Sequence, residues 1–197
     1  MNYKKKIMDY MKESGGMITS SYCKENGIPT IYLNRLEKSG LLFKIEKGLY
    51  LNNDANYDDY YFFQYRFKKT IYSYETALFL QGLTDRLPLV WDVSVPYNYK
   101  FNDLISNINV YYVNKNIFEL GSIKIKTMYG NFVRVYSFER ILCDFIAHKD
   151  KIDIEIYLKA IKSYQRYENR DLNKLFEIAQ KMKIEKAVRE VMEIAYE

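Results

Sequence analysis

The chain has 197 residues, of which 48% are hydrophobic and 28% are charged, a composition typical of a folded globular protein and not of a disordered one. Its formal net charge of +5 is only moderately basic, and its two cysteines, Cys23 and Cys143, do not support a disulfide framework or a cysteine-based zinc site. Without a signal-peptide pattern or the ~20 apolar residues that a membrane-spanning helix needs, the sequence predicts a cytoplasmic protein with no membrane association.

Positive charge is concentrated towards the amino end of the chain. Residues 1–54 contain nine Lys or Arg and six Asp or Glu, a net charge of +3, which leaves +2 for the other 143 residues. Such a distribution favours a polyanion as the partner of this first segment.

The first fifty residues have the pattern of three helices followed by a hairpin. Apolar residues recur at helical spacing over 2–13. Thr19 or Ser20 caps a short second helix that ends at an Asn-Gly pair, and a third helix is predicted over 29–39. Residues 41–51 alternate around a Lys-Gly pair, which predicts two short strands joined by a tight turn.

A change in composition divides the chain at residues 52–59, which are rich in Asn, Asp and Tyr. We therefore predict two domains, 1–54 and 55–197. In the second domain, runs rich in Val, Ile and Tyr predict strands at 89–95, 108–113, 122–128 and 132–136, and helical spacing predicts helices at 58–68, 74–81, 137–148, 154–167, 172–182 and 184–196. The expected fold class is α+β, with a small, mostly antiparallel sheet before carboxy-terminal helices.

The third predicted helix carries an outer face that the core does not need. With Leu33 and Leu36 pointing inward, the opposite arc holds Thr30, Ile31, Asn34, Arg35 and Lys38, with Tyr32 near its edge. A turn-joined helix pair followed by a basic hairpin is the winged helix-turn-helix arrangement, whose second helix enters the DNA major groove. The predicted DNA-binding residues are Lys4, Lys5, Thr30, Tyr32, Asn34, Arg35, Lys38, Lys44 and Lys47.

Two of these side chains suit base recognition. Arg35 has the donors for a bidentate contact with guanine, and Asn34 has the donor and acceptor for adenine. Lys44 and Lys47 on the hairpin suit the phosphate backbone or the minor groove. The alternative is that all of these residues are a solvated surface, since winged helices also mediate protein contacts.

Three blocks of sequence carry a family resemblance. They are RLEKSGLLFKIEKGLY at 35–50, SYETALFLQGLTD at 73–85 and VRVYSFERILCDFI at 133–146. Together they span both predicted domains, and the chain resembles the AbiEi family of antitoxins. The first block is generic for winged helices, whereas the other two are more specific.

The resemblance implies an antitoxin encoded beside a nucleotidyltransferase toxin of the AbiEii type, in an abortive-infection system against phage. It implies that the winged domain represses the shared promoter by binding inverted repeats in double-stranded DNA. It also implies that the larger domain counteracts the toxin without a stable complex. Because one winged domain contacts few phosphates, we expect a monomer in solution or weak self-association on DNA.

Five residues form the antitoxin-domain motif within the second and third blocks: Ser73, Thr76, Glu139, Arg140 and Asp144. Arg140 and Asp144 have the i, i+4 spacing of an ion pair on one helix face, which indicates structural support. Ser73 and Thr76 suit a helix start, whose free amides also suit an anion. The sharper alternative is a surface that confers antitoxicity.

Catalysis has little support in the sequence. His148 is the only histidine, and no glycine loop of the phosphate-binding or dinucleotide-binding type is present. Asp85, Asp92, Lys124 and Lys126 suggest a nuclease only as a third hypothesis. We expect no enzyme activity, no cofactor and no metal.

A second hypothesis is a protein-interaction module that inhibits the toxin by direct binding, with DNA binding incidental. It requires an exposed apolar stripe on the last two helices, which the sequence leaves open at Ile178, Met182, Val188, Met192 and Ile194.

Overall fold

The computed structural model describes residues 2–101 and 107–196, and the chain forms two compact units. The first unit comprises Met1–Arg66 and Lys126–Phe132, and the second comprises Phe67–Ile125 and Val133–Glu197. The first unit therefore extends beyond the predicted boundary at residue 54. The division of activities between 1–54 and 55–197 stays a prediction.

Apart from the segment Lys126–Phe132, the described part of the first unit contains four helices and three strands. In chain order they are α1 Tyr3–Glu13, β1 Met17–Thr19, α2 Ser20–Glu25, α3 Ile31–Lys38, β2 Phe43–Glu46, β3 Leu49–Leu51 and α4 Asp59–Arg66. The three predicted helices and the hairpin are confirmed. Strand β1 was not predicted, because three residues are too few for an alternating pattern to show.

The strands of the first unit form an antiparallel sheet in the order β1-β3-β2. Thr19 ends β1 and caps α2, since its hydroxyl accepts a hydrogen bond from the backbone N–H of Tyr22 at 3.1 Å. The inward faces of the helices bury a core at Ile7, Met11, Ile18, Cys23, Ile28, Leu33, Leu36, Leu42 and Tyr50.

Asp58 explains why a distant segment belongs to the first unit. This buried carboxylate accepts hydrogen bonds from the hydroxyl of Thr127 at 2.5 Å and the side-chain amide of Asn131 at 2.9 Å. It also accepts the N–H of Tyr61, in the first turn of α4. Asp58, within the predicted linker, thus connects the start of α4 to the segment 127–131.

The second unit combines a five-stranded sheet with helices. Its elements are β4 Ile71–Tyr72, α5 Tyr74–Leu80, β5 Trp91–Pro96, β6 Ile108–Val113, α6 Lys115–Phe118, β7 Ser122–Lys126, β8 Phe132–Tyr136, α7 Phe138–Ala147, a 3-10 turn Lys149–Lys151, α8 Ile154–Arg166, α9 Leu172–Lys181 and α10 Glu185–Tyr196. The α+β fold class is confirmed.

The sheet of the second unit has the order β6-β5-β4-β8-β7 and is mixed. Strands β4 and β5 are antiparallel, but β4 pairs with β8, and β5 with β6, in parallel. The prediction of a mostly antiparallel sheet is therefore wrong. Strand direction depends on which distant segments pair, and the alternation within one strand carries no information about its partner.

Helix α7 lies at the centre of the second unit. Every residue from Phe138 to Ile146 is buried, and the helix contacts α5, α8, α9 and α10. A helix surrounded on all sides must be apolar or must satisfy its polar groups internally. Among the described residues, no helix has the length and hydropathy required to cross a bilayer.

Candidate nucleic-acid interface

One side of α3 is exposed along its whole length. Ile31, Asn34, Arg35 and Lys38 are exposed, whereas Leu33 and Leu36 are buried. The exposed residues have the i, i+3, i+4, i+7 spacing of a single helix face. We call these four residues the α3 outer face, and their exposure agrees with the arc expected from the sequence.

Asn34 is hydrogen bonded to the β2–β3 hairpin. The hydroxyl of Tyr50, on β3, donates a hydrogen bond to Oδ1 of Asn34 at 3.1 Å. Tyr50 itself is buried, and burial raises the pKa of its hydroxyl, so it remains a donor at neutral pH. Oδ1 keeps a second lone pair, and no residue within 2–101 and 107–196 accepts a hydrogen bond from the two N–H donors of the amide.

Arg35 is supported by aromatic rings. Its guanidinium carbon lies 5.2 Å from the ring centroid of Tyr32, which is a cation–π distance. The ring of Tyr32 lies 5.2 Å from that of Tyr3, on α1. Tyr32 is half-buried, and its predicted contact with DNA stays a prediction.

The predicted phosphate-binding lysines lie at the surface of the first unit. Lys4 and Lys5 are in the first turn of α1, Lys44 is on β2, and Lys47 is in the turn after it; all four are exposed. Within 2–101 and 107–196, no ion pair holds any of them. Their charge is thus available for an anionic ligand.

Thr30 occupies the N-cap position of α3. Its backbone is already helical, with φ −63° and ψ −16°, and its hydroxyl makes no capping hydrogen bond. A half-buried hydroxyl at the amino end of a helix, where the helix dipole favours an anion, suits a phosphate oxygen.

Sequence reasoning missed the role of Tyr50. The residue appeared there only as the last residue of the block at 35–50, and it lies 16 positions from Asn34. No local pattern connects the two, because the contact exists only once β3 has paired with its neighbours. An aromatic residue within the second strand of the hairpin was the one available signal.

We expect Tyr50→Phe to weaken the first unit by about 0.5–1.5 kcal/mol, the usual net value of one hydrogen bond. The reason is that Asn34 loses its buried donor while the ring packing stays. Hydrogen exchange of amides in residues 2–66 would measure the local opening free energy. The matched control, Tyr32→Phe, keeps both ring contacts and should change this free energy by less than ~0.5 kcal/mol. Equal effects of the two variants would contradict this role of Tyr50.

The antitoxin-domain motif lies inside the second unit. Arg140 has 0% of its surface exposed, and its Nε lies 3.1 Å from both carboxylate oxygens of Asp144. Its Nη1 donates to the backbone carbonyls of Ile117 at 2.5 Å and Leu120 at 2.7 Å. Its guanidinium carbon lies 4.2 Å above the ring of Tyr136. Arg140 therefore joins α7 to the segment around α6.

Gly121 makes room for this arrangement. Its φ is +73°, and a Cβ at this position would lie 2.6 Å from Cβ of Arg140. Burial raises the pKa of Asp144, and the guanidinium of Arg140 opposes that rise. The ion pair is thus enclosed on all sides, as expected for a structural pair.

The other three motif residues are also buried. The carboxylate of Glu139 lies 3.3 Å from Nζ of Lys174. The hydroxyl of Thr76 accepts the backbone N–H of Asp92 at 2.8 Å. Ser73, at the N-cap of α5, makes no side-chain capping bond. Because all five residues are buried, a partner protein cannot contact them directly. Their burial favours the structural interpretation over a surface that confers antitoxicity.

Asp92 lies beside the first turn of α5. The backbone N–H groups of Glu75 and Thr76 lower the pKa of its carboxylate. Asn109 and the hydroxyl of Tyr111 donate to the same carboxylate at 3.0 and 3.1 Å. Burial raises the pKa of Asp92, and these donors oppose the rise. Asp92 also lines a cleft of about 490 Å³, and Oδ1 of its carboxylate accepts both side-chain hydrogen bonds.

The residues on which the nuclease hypothesis depends do not come together in one site. Asp92 is on β5 and Lys124 is on β7, and strands β4 and β8 lie between them, a separation of ~14 Å in the sheet. Nδ1 of His148 lies 3.0 Å from the carbonyl of Asp144 and 3.3 Å from the hydroxyl of Tyr74, at the end of α7. Within the described residues, no group of three His, Cys, Asp or Glu side chains is placed to hold a metal ion.

A family model supports the interpretation of the first unit. Residues 6–53 match the model described as transcriptional regulator, AbiEi antitoxin. The matched segment begins within α1 and ends just after β3, so it contains the whole of α3 and the hairpin. The blocks at 73–85 and 133–146 lie outside it.

The curated proteins contain no match to this chain. The family match nevertheless agrees with the resemblance found in the sequence, and it covers the segment that carries the α3 outer face. Over residues 6–53, the chain is therefore similar to the AbiEi antitoxin transcriptional regulators.

Proposed function

We propose that the first unit contains a winged helix-turn-helix domain with which the protein represses its own promoter. The single observation that carries the proposal is the α3 outer face. On this face, the guanidinium of Arg35 packs on the ring of Tyr32, and the amide of Asn34 accepts a hydrogen bond from Tyr50. Donors that are preorganised in this way suit base edges in a major groove.

The arrangement of elements supports the same proposal. Helices α2 and α3 are joined by a short turn, and the β2–β3 hairpin follows α3. With α3 in the major groove, Lys44 and Lys47 on the hairpin reach the phosphate backbone or the minor groove. One such domain contacts few phosphates, so two copies on inverted repeats supply the affinity. The protein is then a monomer in solution that self-associates weakly on DNA.

We propose that the second unit supplies the antitoxin activity. The family description names antitoxins, and the toxin proposed here is a nucleotidyltransferase of a phage-defence, abortive-infection system. Antagonism without a stable complex fits a motif whose polar groups are all buried. In this proposal the protein acts in the cytoplasm and is not an enzyme, with no cofactor or metal.

Direct binding of the toxin through α9 and α10 has less support. That alternative needs an exposed apolar stripe, but Ile178, Val188 and Met192 are buried in the second unit and Met182 is half-buried. Ile194 is exposed, at 75%. One exposed side chain among these five residues does not make the apolar stripe that the alternative needs.

Binding to the upstream region of its own operon should fall steeply with salt concentration. We expect Lys44→Ala and Lys47→Ala each to reduce the slope of log K against log salt by about 0.9, the value for one lost phosphate contact. Fluorescence anisotropy with the full chain, at a series of salt concentrations, measures this slope. Lys162→Ala, an exposed lysine on α8, is the control and should leave it unchanged. The proposal would be contradicted by a lack of binding in dilute salt, or by equal slopes for all three variants.

A further inference from the structure

Ile31 is the one apolar member of the α3 outer face. It is 50% exposed and is the first residue of α3, while its neighbours on that face are Asn34, Arg35 and Lys38. A single exposed isoleucine is ordinary on a protein surface, but this one lies within the face proposed to bind DNA. It gains by meeting an apolar group on whatever surface covers the outer face.

The DNA major groove offers one such group among the four bases. Thymine presents its 5-methyl group there, whereas adenine, guanine and cytosine carry no methyl group and are distinguished by their hydrogen-bonding atoms. An isoleucine placed against the N4 amine of cytosine or the N6 amine of adenine would strip water from a polar group without replacing its hydrogen bond. The side chain therefore discriminates both for thymine and against the other bases.

We propose that Ile31 reads the 5-methyl group of a thymine in the operator. This inference rests on the proposed DNA-binding function and adds to it a base and a residue. Ile31 precedes Arg35 by one helical turn, roughly 6 Å along the axis, so the thymine lies about one or two base pairs from the guanine that Arg35 contacts. The β-branched side chain is stiff at χ1, so little rotamer freedom is lost in the contact.

The experiment removes the methyl group alone. The full chain first selects a duplex from a randomised pool, and each thymine of that duplex is then replaced in turn by 2′-deoxyuridine. For the wild-type chain, we expect a loss of about three- to fivefold in affinity at one thymine of each half-site, the value of one buried methyl group. For Ile31→Ala, we expect no loss at that thymine and unchanged losses elsewhere.

The control variant is Ile154→Ala. Ile154 is likewise an exposed isoleucine at the first position of a helix, α8, but belongs to the second unit. It should keep the wild-type pattern. Alanine is a good helix former, so neither variant should lose helix stability.

The outcomes separate this inference from the proposed function. The thymine contact is wrong if the wild-type chain binds every deoxyuridine form of the selected duplex equally. It is also wrong if Ile31→Ala loses as much affinity as the wild type at the same thymine. Either result leaves the proposed DNA binding intact. A pool from which the wild-type chain enriches no duplex overturns both.

Discussion

Arg140→Met should lower the free energy of unfolding of the second unit by about 3–5 kcal/mol, the cost of removing one partner of a buried ion pair. Methionine keeps much of the volume of arginine but none of its donors. Asp144 is then left as a buried, unpaired carboxylate. The carbonyls of Ile117 and Leu120 also lose their donor, and each unsatisfied polar group adds to the cost.

The single tryptophan makes this measurement specific to the second unit. Trp91 lies on β5, so its fluorescence during urea unfolding reports on that unit. The matched control is Arg189→Met, which breaks the exposed i, i+4 pair with Glu185 and should cost no more than ~1 kcal/mol. Combining Arg140→Met with Asp144→Asn should cost less than the single change, because no charge is left unpaired. A cost below ~1 kcal/mol for Arg140→Met would show that this pair does not hold the unit together.

Arg35→Ala should relax the choice of base at one operator position. A good bidentate contact with guanine contributes about 1–3 kcal/mol of discrimination, so the preference over a mismatched base pair should fall by roughly five- to 150-fold. Arg35 is exposed, and the contact described for its side chain is with the ring of Tyr32, so the fold should be preserved. The loss should therefore appear in specificity.

Lys38→Ala is the comparison that separates base contact from phosphate contact. Lys38 belongs to the same outer face but lies at the end of α3. Its loss should weaken binding to cognate and mismatched duplexes equally. Competition binding with duplexes altered one base pair at a time measures both effects. If Arg35→Ala weakens every duplex by the same factor, Arg35 contacts phosphate and the proposed base contact is wrong.

Some features of this protein follow from interactions between near neighbours in the chain, and the sequence alone predicts them. Helical spacing identified α1 and α3 and the inward direction of Leu33 and Leu36. The cap at Thr19 acts on a backbone group three residues away. The i, i+4 pair of Arg140 and Asp144 was recognisable for the same reason. In each case the partners are fixed by the geometry of one helix.

Only the tertiary structure decided the rest, because the partners lie far apart in the chain and nothing local identifies them. Strand β8 pairs in parallel with β4 across about 60 residues, and the hydroxyl of Tyr50 reaches Asn34 only after the hairpin has formed. The sequence indicated an ion pair at Arg140 but not its burial, which depends on the carbonyls that the segment around α6 brings to it. A buried charge is tolerated where such partners converge, and that convergence is a property of the folded chain.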